Sequence, residues 1–172
     1  TININNNSNY RIVTMGHRNP QGIVASKLHD LIFSSEHGPE GGDEVNLIKI
    51  SKEKVYNYGW AIASYGDHYH YRDEKIRENY PLYKSHSEHG FEEPLLYFTP
   101  AVAPTQLIIE YEDENFVKLV LATLKDKSLY FLDYNVSKNN LTITNKIVLD
   151  ERIRDIIYYD EMILATLENT PS

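Results

Sequence analysis

Residues 119–126 read LVLATLKD and residues 162–169 read MILATLEN. The LATL core recurs 43 residues on, from 121 to 164, and each copy closes an apolar run just before charged or polar residues. LIFSSEHG at 31–38 has the same form and starts 88 residues ahead of the copy at 119. A period of about 40–45 residues, with four short strands per unit, is how a β-propeller reads. Each unit, or blade, buries its faces only against neighbouring blades, so the unit must repeat to be stable. The surrounding runs fit such strands: DLIFSS (30–35), EVNLIKI (44–50), QLIIEY (106–111), VKLVLATL (117–124), SLYFLDY (128–134), LTITNKIVL (141–149) and EMILATL (161–167). Polar turns such as KDKS and SKNN separate them, the pattern of short antiparallel strands. Residues 66–80 are polar and read as an irregular excursion or a short helix. Accidental recurrence of four letters is the competing reading of LATL.

The expected fold is all-β, a β-propeller represented by about three blades. One blade is expected over 16–50 and another over 106–149, with a partial blade over 150–172. Residues 51–105 are rich in Tyr, His and Pro and hold no fourth copy, so they read as an aromatic-rich excursion. Propellers close with about four to eight blades. Three do not close a ring, so the chain is expected to be a fragment, or to complete a ring with another chain or a second copy of itself.

Composition narrows the function. The 172 residues suffice for one domain with a real core, and 41% are hydrophobic. The formal charge is −8, from 25 acidic and 17 basic residues, which argues against nucleic acid as a partner. There is no cysteine, so disulfides, thiolate metal sites and cysteine nucleophiles are excluded. No run approaches the roughly 18 apolar residues of a membrane-spanning helix. The N-terminal TININNNSNY lacks the basic-then-apolar pattern of a signal peptide.

EHGPEGGDEVN at 36–46 carries three glycines, a proline, four carboxylates and one histidine. A phosphate cradle is disfavoured, because no Lys, Ser or Thr follows the glycines and no helix follows them. An EF-hand is excluded by the spacing of the acidic residues. A hairpin turn, a calcium loop of another kind and part of an active site stay open. RIRD at 152–155 places two arginines two residues apart, on one face of a strand, where they can converge on one ligand. Its plain alternative is a solvated strand edge. His68 and His70 share a strand face, but no third ligand has firm spacing for zinc.

Six segments then stand in order: GHRNPQG (16–22), EHGPEGGDEVNLI (36–48), NYGWAIASYGD (57–67), EEPLLYFTPAVAPT (92–105), LATLKDKSLY (121–130) and RIRD (152–155). Together, over about residues 16–169, they resemble the soluble sugar dehydrogenases that use pyrroloquinoline quinone (PQQ), the glucose/sorbosone dehydrogenase family. The resemblance implies a six-bladed β-propeller of which this chain covers about the C-terminal half. It implies PQQ and calcium as cofactors, a sugar substrate oxidised at its C1 hydroxyl to a lactone, and an electron acceptor. A periplasmic or secreted location is likewise implied.

The resemblance also assigns residues. Arg18, Asn19, Lys125, Arg152 and Arg154 would contact the quinone, whose three carboxylates call for guanidinium and ammonium donors. The backbone carbonyls of Gly38 and Pro39 would hold the cofactor calcium, a hard cation that takes oxygen ligands. The Tyr65 carbonyl with the Asp67 and Glu92 carboxylates would hold a structural calcium. Asp43 and Glu44 are expected to be structural, and Trp60 to be packing. The family's catalytic histidine lies on an earlier blade and has no match in this chain; His17 is not that residue, so the base is expected upstream. Phe98 stands where the family often has tryptophan, which keeps an aromatic face there. Ala101 stands near where a Ser or Thr is usual. The alternative is a non-catalytic propeller of the same superfamily that binds carbohydrate or a protein partner.

Overall fold

The structure, a computed structural model, describes residues 10–69 and 74–168. It opens with a two-residue strand, β1 (Thr14–Met15), followed by β2 (Pro20–Ala25), β3 (Ile32–Glu36) and β4 (Asp43–Leu47). In the excursion lie β5 (Tyr56–Asn57), which pairs in parallel with β1, and the short helix α1 (Glu74–Asn79). β6 (Leu96–Phe98) then returns to pair with β4 and completes a sheet of order β2-β3-β4-β6. A second sheet is a plain meander of β7 (Pro104–Glu112), β8 (Phe116–Thr123), β9 (Ser128–Asn135) and β10 (Asn140–Val148). The hairpin of β11 (Ile153–Tyr159) and β12 (Met162–Leu167) begins a third.

The three repeats fall on equivalent strands. LIFSSEHG and MILATLEN contain β3 and β12, and LVLATLKD begins within β8, each the second strand of its sheet. The first strands β2, β7 and β11 stand side by side, β7 in the middle. The sheets are successive blades of an incomplete β-propeller and do not close into a ring.

One boundary differs from the expectation. The first sheet takes its fourth strand from inside 51–105, with Asp43, Glu44 and Val45 opposite Phe98, Tyr97 and Leu96. The excursion is thus an insertion between the third and fourth strands of the first blade, and the second blade starts at Pro104. LYF is three residues long and stands between Pro94 and Pro100, so it shows no alternation to read. Its strand character comes from pairing alone.

Turn chemistry fixes the second and third sheets. Asp160 and Glu161 both have positive φ, 49° and 60°, the geometry of the two-residue hairpin that matches strand twist. At the turn from β7 to β8, the Asp113 carboxylate accepts the backbone N–H of Asn115 and of Phe116, at 2.8 and 2.9 Å. These hydrogen bonds hold that carboxyl below its usual range.

β8 is the centre of the core because it is buried on both faces. Val117, Leu119 and Leu121 pack with Phe33, Val45 and Leu107 between the first and second sheets. Val120 and Ala122 point the other way and pack with Ile153 and Ile156 of the third. An uninterrupted apolar run is what a strand covered on both sides requires. The same letters in β12 have a neighbouring sheet on one side only, so Leu164 is 45% exposed while Leu121 is fully buried.

Polar groups tie the sheets at the end of β7. Ser35 Oγ donates to the Thr105 carbonyl (2.7 Å), and Thr105 Oγ1 donates to the Ile153 carbonyl (3.0 Å). These two hydrogen bonds, which meet at Thr105, connect all three sheets. Gly22 allows this close approach: a Cβ there would lie 2.7 Å from the Leu107 nitrogen and 2.8 Å from the Thr105 oxygen.

Leu121→Ala is expected to cost about 2–5 kcal/mol, the range for a large-to-small change in a closed core. Leu164→Ala, at the repeat-equivalent site, should cost under about 1 kcal/mol. Urea denaturation of the two variants checks the contrast.

Candidate functional site

GHRN (16–19) leads into β2, and 37–42 joins β3 to β4. Pro20 of β2 pairs with Glu36 of β3, so these two loops emerge side by side. Residues 99–103 cross from β6 to β7, and 124–127 leave β8. The loops meet around an open cleft of about 490 Å³ lined by Arg18, Asn19, Gly38, Pro39 and Lys125. Five residues from three separate motifs share one concave surface.

Asp43 fastens the loops together. Its buried carboxylate accepts the backbone N–H of Gly38 (2.9 Å) on one oxygen, and of Val102 and Ala103 (both 2.7 Å) on the other. Gly38 is tightly enclosed, since a Cβ there would fall 2.2 Å from the Gly41 oxygen and 2.4 Å from the Gly42 oxygen. The Gly38 and Pro39 carbonyls accept no hydrogen bond from the described residues.

Arg18 is held on several sides. Its backbone N–H donates to Glu36 Oε2 (2.7 Å), one terminal nitrogen to the His37 carbonyl (3.2 Å) and the other to the Tyr69 hydroxyl (3.2 Å). Its guanidinium carbon lies 5.1 Å from the Trp60 ring centre and 5.5 Å from that of Tyr69, within cation–π range. Trp60 therefore also braces the arginine. Lys125 differs: its backbone N–H donates to the Val102 carbonyl (3.0 Å), while its ammonium has no ion pair among the described residues.

The repeat explains this difference. His37, Lys125 and Glu168 occupy the same position of their repeats. Each donates its backbone N–H to the entry segment of its blade's first strand: His37 to Asn19, Lys125 to Val102 and Glu168 to Arg152, at 2.9–3.0 Å. In the first blade the entry carries Arg18 and Asn19, and in the third Arg152 and Arg154. In the second it carries Ala101 and Ala103, which line the cleft but give Lys125 no side-chain partner.

Arg152 and Arg154 do not line this cleft. They converge as their spacing predicts, but on Glu168: Arg154 donates to one oxygen at 2.8 Å and Arg152 Nε lies against the other. Strict alternation does not hold, because the register with β12 slips between Ile153 and Asp155. Ile153 is fully buried and Asp155 exposed, so they do not share an environment.

The two carboxylates expected at a structural calcium, Asp67 and Glu92, each lie against a lysine. Lys84 lies 2.7 Å from Asp67 and holds its carboxyl below the usual range. Lys49 Nζ lies 2.5 Å from Glu92, with Lys54 at 3.7 Å. The carboxylate that meets Tyr65 is Glu93, which accepts the phenol O–H at 2.8 Å. Phe98 is buried against Tyr130 in the core, so it offers no aromatic face to the cleft. His17 is spent inside the first blade, between Glu36 (3.0 Å) and Thr14 (3.1 Å) and stacked on Tyr58. His68 lies 2.5 Å from the Tyr80 carbonyl, and His70 lies outside the described residues. Among the described residues no three His, Cys, Asp or Glu side chains form a metal cluster.

Sequence reasoning did not single out His37, Tyr69 or Glu168. His37 and Glu168 could have been found from the repeat, as partners of Lys125. Tyr69 carries no such signal.

Behind the cleft the first blade buries ionisable groups. Glu44 faces His86 at 3.4 Å, and the Asn46 amide spans Glu36 (2.8 Å) and Glu44 (3.2 Å). Burial pushes the Glu44 carboxyl up to about 8, and the Glu36 carboxylate adds repulsion. Burial lowers the His86 imidazole, which is fully enclosed. Glu44 thus binds its proton more tightly folded than unfolded. Its contribution to stability is full below pH 4.5 and is lost as pH rises to about 8. His86 acts oppositely: its contribution is present above pH 6.5 and is lost as pH falls through its lowered value.

Glu44→Gln should flatten the alkaline side of the stability profile. It should match the parent near pH 4 and exceed it near pH 9 by a few kcal/mol, since each tenfold change in proton affinity on folding is worth about 1.4 kcal/mol. Thermal melts across that range read it. Asp43→Ala, which strands three N–H donors, two of them buried, is expected to cost roughly 3 kcal/mol or more, read by urea denaturation.

Comparison with known proteins places this architecture. The chain is 33% identical over 151 residues to the aldose sugar dehydrogenase YliI of Escherichia coli (strain K12), covering 84% of this chain and 37% of that protein. It is 47% identical over 57 residues to quinoprotein glucose dehydrogenase B of Acinetobacter calcoaceticus, covering 33% of this chain and 11% of that one. The crystal structure of the soluble aldose sugar dehydrogenase from Escherichia coli, in the apo-form, superposes with a TM-score of 0.66 at 27% identity. That match covers 90% of this chain and 43% of the other. The chain therefore spans about two fifths of the length of these longer matches. Residues 2–171 match the glucose/sorbosone dehydrogenase family, and the chain belongs to it.

Proposed function

We propose that this chain is the cofactor-holding part of a PQQ- and calcium-dependent aldose dehydrogenase. The observation that carries the reading is the cleft itself. Two cations and an amide, Arg18, Lys125 and Asn19, line it together with Glu40 and Asp43, beside the Gly38 and Pro39 carbonyls, which accept no hydrogen bond among the described residues. Unpaired Lys125 is the decisive member, because an exposed ammonium beside a braced guanidinium is suited to a polyanionic ligand.

The residues present fit such a group. Arg18 and Lys125 would hold carboxylates, Asn19 would hydrogen-bond a ring substituent, and the two carbonyls would take calcium, whose preferred ligands are oxygens. Arg152 and Arg154 lie outside this cleft and hold the carboxylate of Glu168, so their part in holding the cofactor rests on the family resemblance. When bound, the quinone supplies the two-electron acceptor for a sugar hydroxyl, and calcium polarises it. The chain's own work is orientation: Asp43 fixes the calcium loop against 102–103, while Trp60 and Tyr69 keep Arg18 aimed. A sugar lactone as product, a separate electron acceptor and a periplasmic or secreted setting follow from the same reading. A second calcium at Tyr65, Asp67 and Glu92 has less support, since both carboxylates already carry lysines. No helix among the described residues is long and apolar enough to cross a membrane.

The test is titration of the full chain with PQQ, with and without calcium, followed by dye reduction with glucose and other aldoses. Saturable, calcium-dependent binding is expected. Lys125→Met should weaken it about 10- to 100-fold, the effect of losing one charge-assisted contact, without lowering the melting temperature. Absence of quinone binding, or a Lys125→Met affinity equal to the parent's, refutes the reading.

A further inference from the structure

We propose that His37 is a positioning residue: its imidazole fixes the direction of the Asn19 amide, so that the cleft presents an N–H donor there rather than an acceptor oxygen. The inference rests on the reading of the cleft as a site for an oxygen-rich anion, and adds what sets its hydrogen-bond polarity.

His37 touches both neighbours that were assigned to the ligand. Its backbone N–H donates to the Asn19 carbonyl at 3.0 Å, and its own carbonyl accepts Arg18 at 3.2 Å. The ring reaches across to the second sheet, where Nε2 lies 2.7 Å from the Pro104 carbonyl. A carbonyl only accepts, so Nε2 carries the proton, and in the neutral ring Nδ1 is left with a lone pair. That nitrogen lies 3.5 Å from the Asn19 amide nitrogen, a long contact. On its other side, Asn19 Oδ1 accepts from Gln21 Nε2 at 3.0 Å.

The two contacts agree on one orientation. Turning the amide over would set Oδ1 against the Nδ1 lone pair and the NH₂ against the Gln21 amide hydrogens, so both contacts would become repulsive. In the observed orientation one amide hydrogen faces His37 and the other remains for the cleft. Arg18, Asn19 and Lys125 are then all donors, matched to carboxylate or quinone oxygens. The Pro104 carbonyl thereby acts on the ligand side at one remove, through the tautomer of His37.

The third blade repeats the principle with different chemistry. Glu168, at the repeat position of His37, turns both arginines of its own blade by accepting from them. In the second blade the entry residues are alanines, and the equivalent Lys125 faces the cleft unpaired.

Two substitutions separate the two ring nitrogens. His37→Gln places an amide nitrogen near Nε2, keeping the link to Pro104 and losing the acceptor opposite Asn19. His37→Asn places an oxygen near Nδ1, keeping that acceptor and losing the link. The first readout needs no ligand: the side-chain amide resonances of Asn19 in ¹⁵N-labelled full chain. Both variants lose the ring current of His37, so the reading is the difference between them: the Asn19 amide protons should lie further upfield in His37→Gln, which lacks the acceptor, than in His37→Asn. The second is PQQ affinity in the presence of calcium, expected about 10-fold weaker in His37→Gln and within about 3-fold of the parent in His37→Asn. The His37→Gln loss should vanish in an Asn19→Ala background. Equal Asn19 amide resonances in His37→Gln and His37→Asn, or a His37→Gln loss that persists without Asn19, overturns the proposal. Failure of the parent to bind PQQ would instead count against the cofactor reading, while the amide resonances still decide the role of His37.

Discussion

Three backbone N–H groups from two loops end on one buried carboxylate, that of Asp43. Without it, the segments that carry Gly38 and Ala103 would have buried donors and no reason to meet. Backbone groups removed from water must find partners, and here a single side chain supplies them for a strand-to-strand turn and for a crossing between blades. The cleft exists because those two segments are held at a fixed separation. Asp43 stands at the first position of β4, so a residue of the sheet ladder carries the loop geometry directly.

A similar arrangement runs through the sheet junctions. Ser35, Thr105 and the Ile153 carbonyl form a short polar seam through otherwise apolar contacts. The seam lies next to Pro104, which receives His37, so the contacts that align the blades also align the cleft. Dispersion and burial on β8 supply most of the cohesion, because its side chains fill the spaces on both sides. The polar seam supplies register: it accepts only one placement of β3 against β7 and of β7 against β11.

Charge is distributed unevenly for a chain with a formal net charge of −8. Several carboxylates are withdrawn from solution effects by being paired or hydrogen-bonded: Glu36 by His17, Arg18 and Asn46, Glu92 by two lysines, Asp67 by Lys84. Burial favours the protonated, uncharged form of Glu44. At the cleft, the guanidinium of Arg18 and the ammonium of Lys125 stand with the carboxylates of Glu40 and Asp43, the latter taken up by three backbone N–H groups. An acidic protein can therefore present cationic groups locally, since short-range pairing outweighs overall charge at these distances.

Local features were legible in the sequence. The strands of the meander, their turns and the equivalence of β3, β8 and β12 follow from periodicity and turn residues, which act within a few positions along the chain. Arg18, Asn19, Gly38, Pro39 and Lys125 could be named from their motifs, and they share a cleft. Other outcomes depended on what folds against what. β6 is a strand because β4 offers it a ladder, and LATL is core in β8 and surface in β12 because only one of them has sheets on both sides. Glu92 meets lysines and Phe98 enters the core, neither of which spacing along the chain can reveal, and Arg152 with Arg154 converges as spacing predicts but on Glu168. By itself the sequence determined which backbone conformations and which chemical groups were available. Tertiary structure decided which groups lost water and which partner each then took, because desolvation and pairing are set by neighbours distant in sequence.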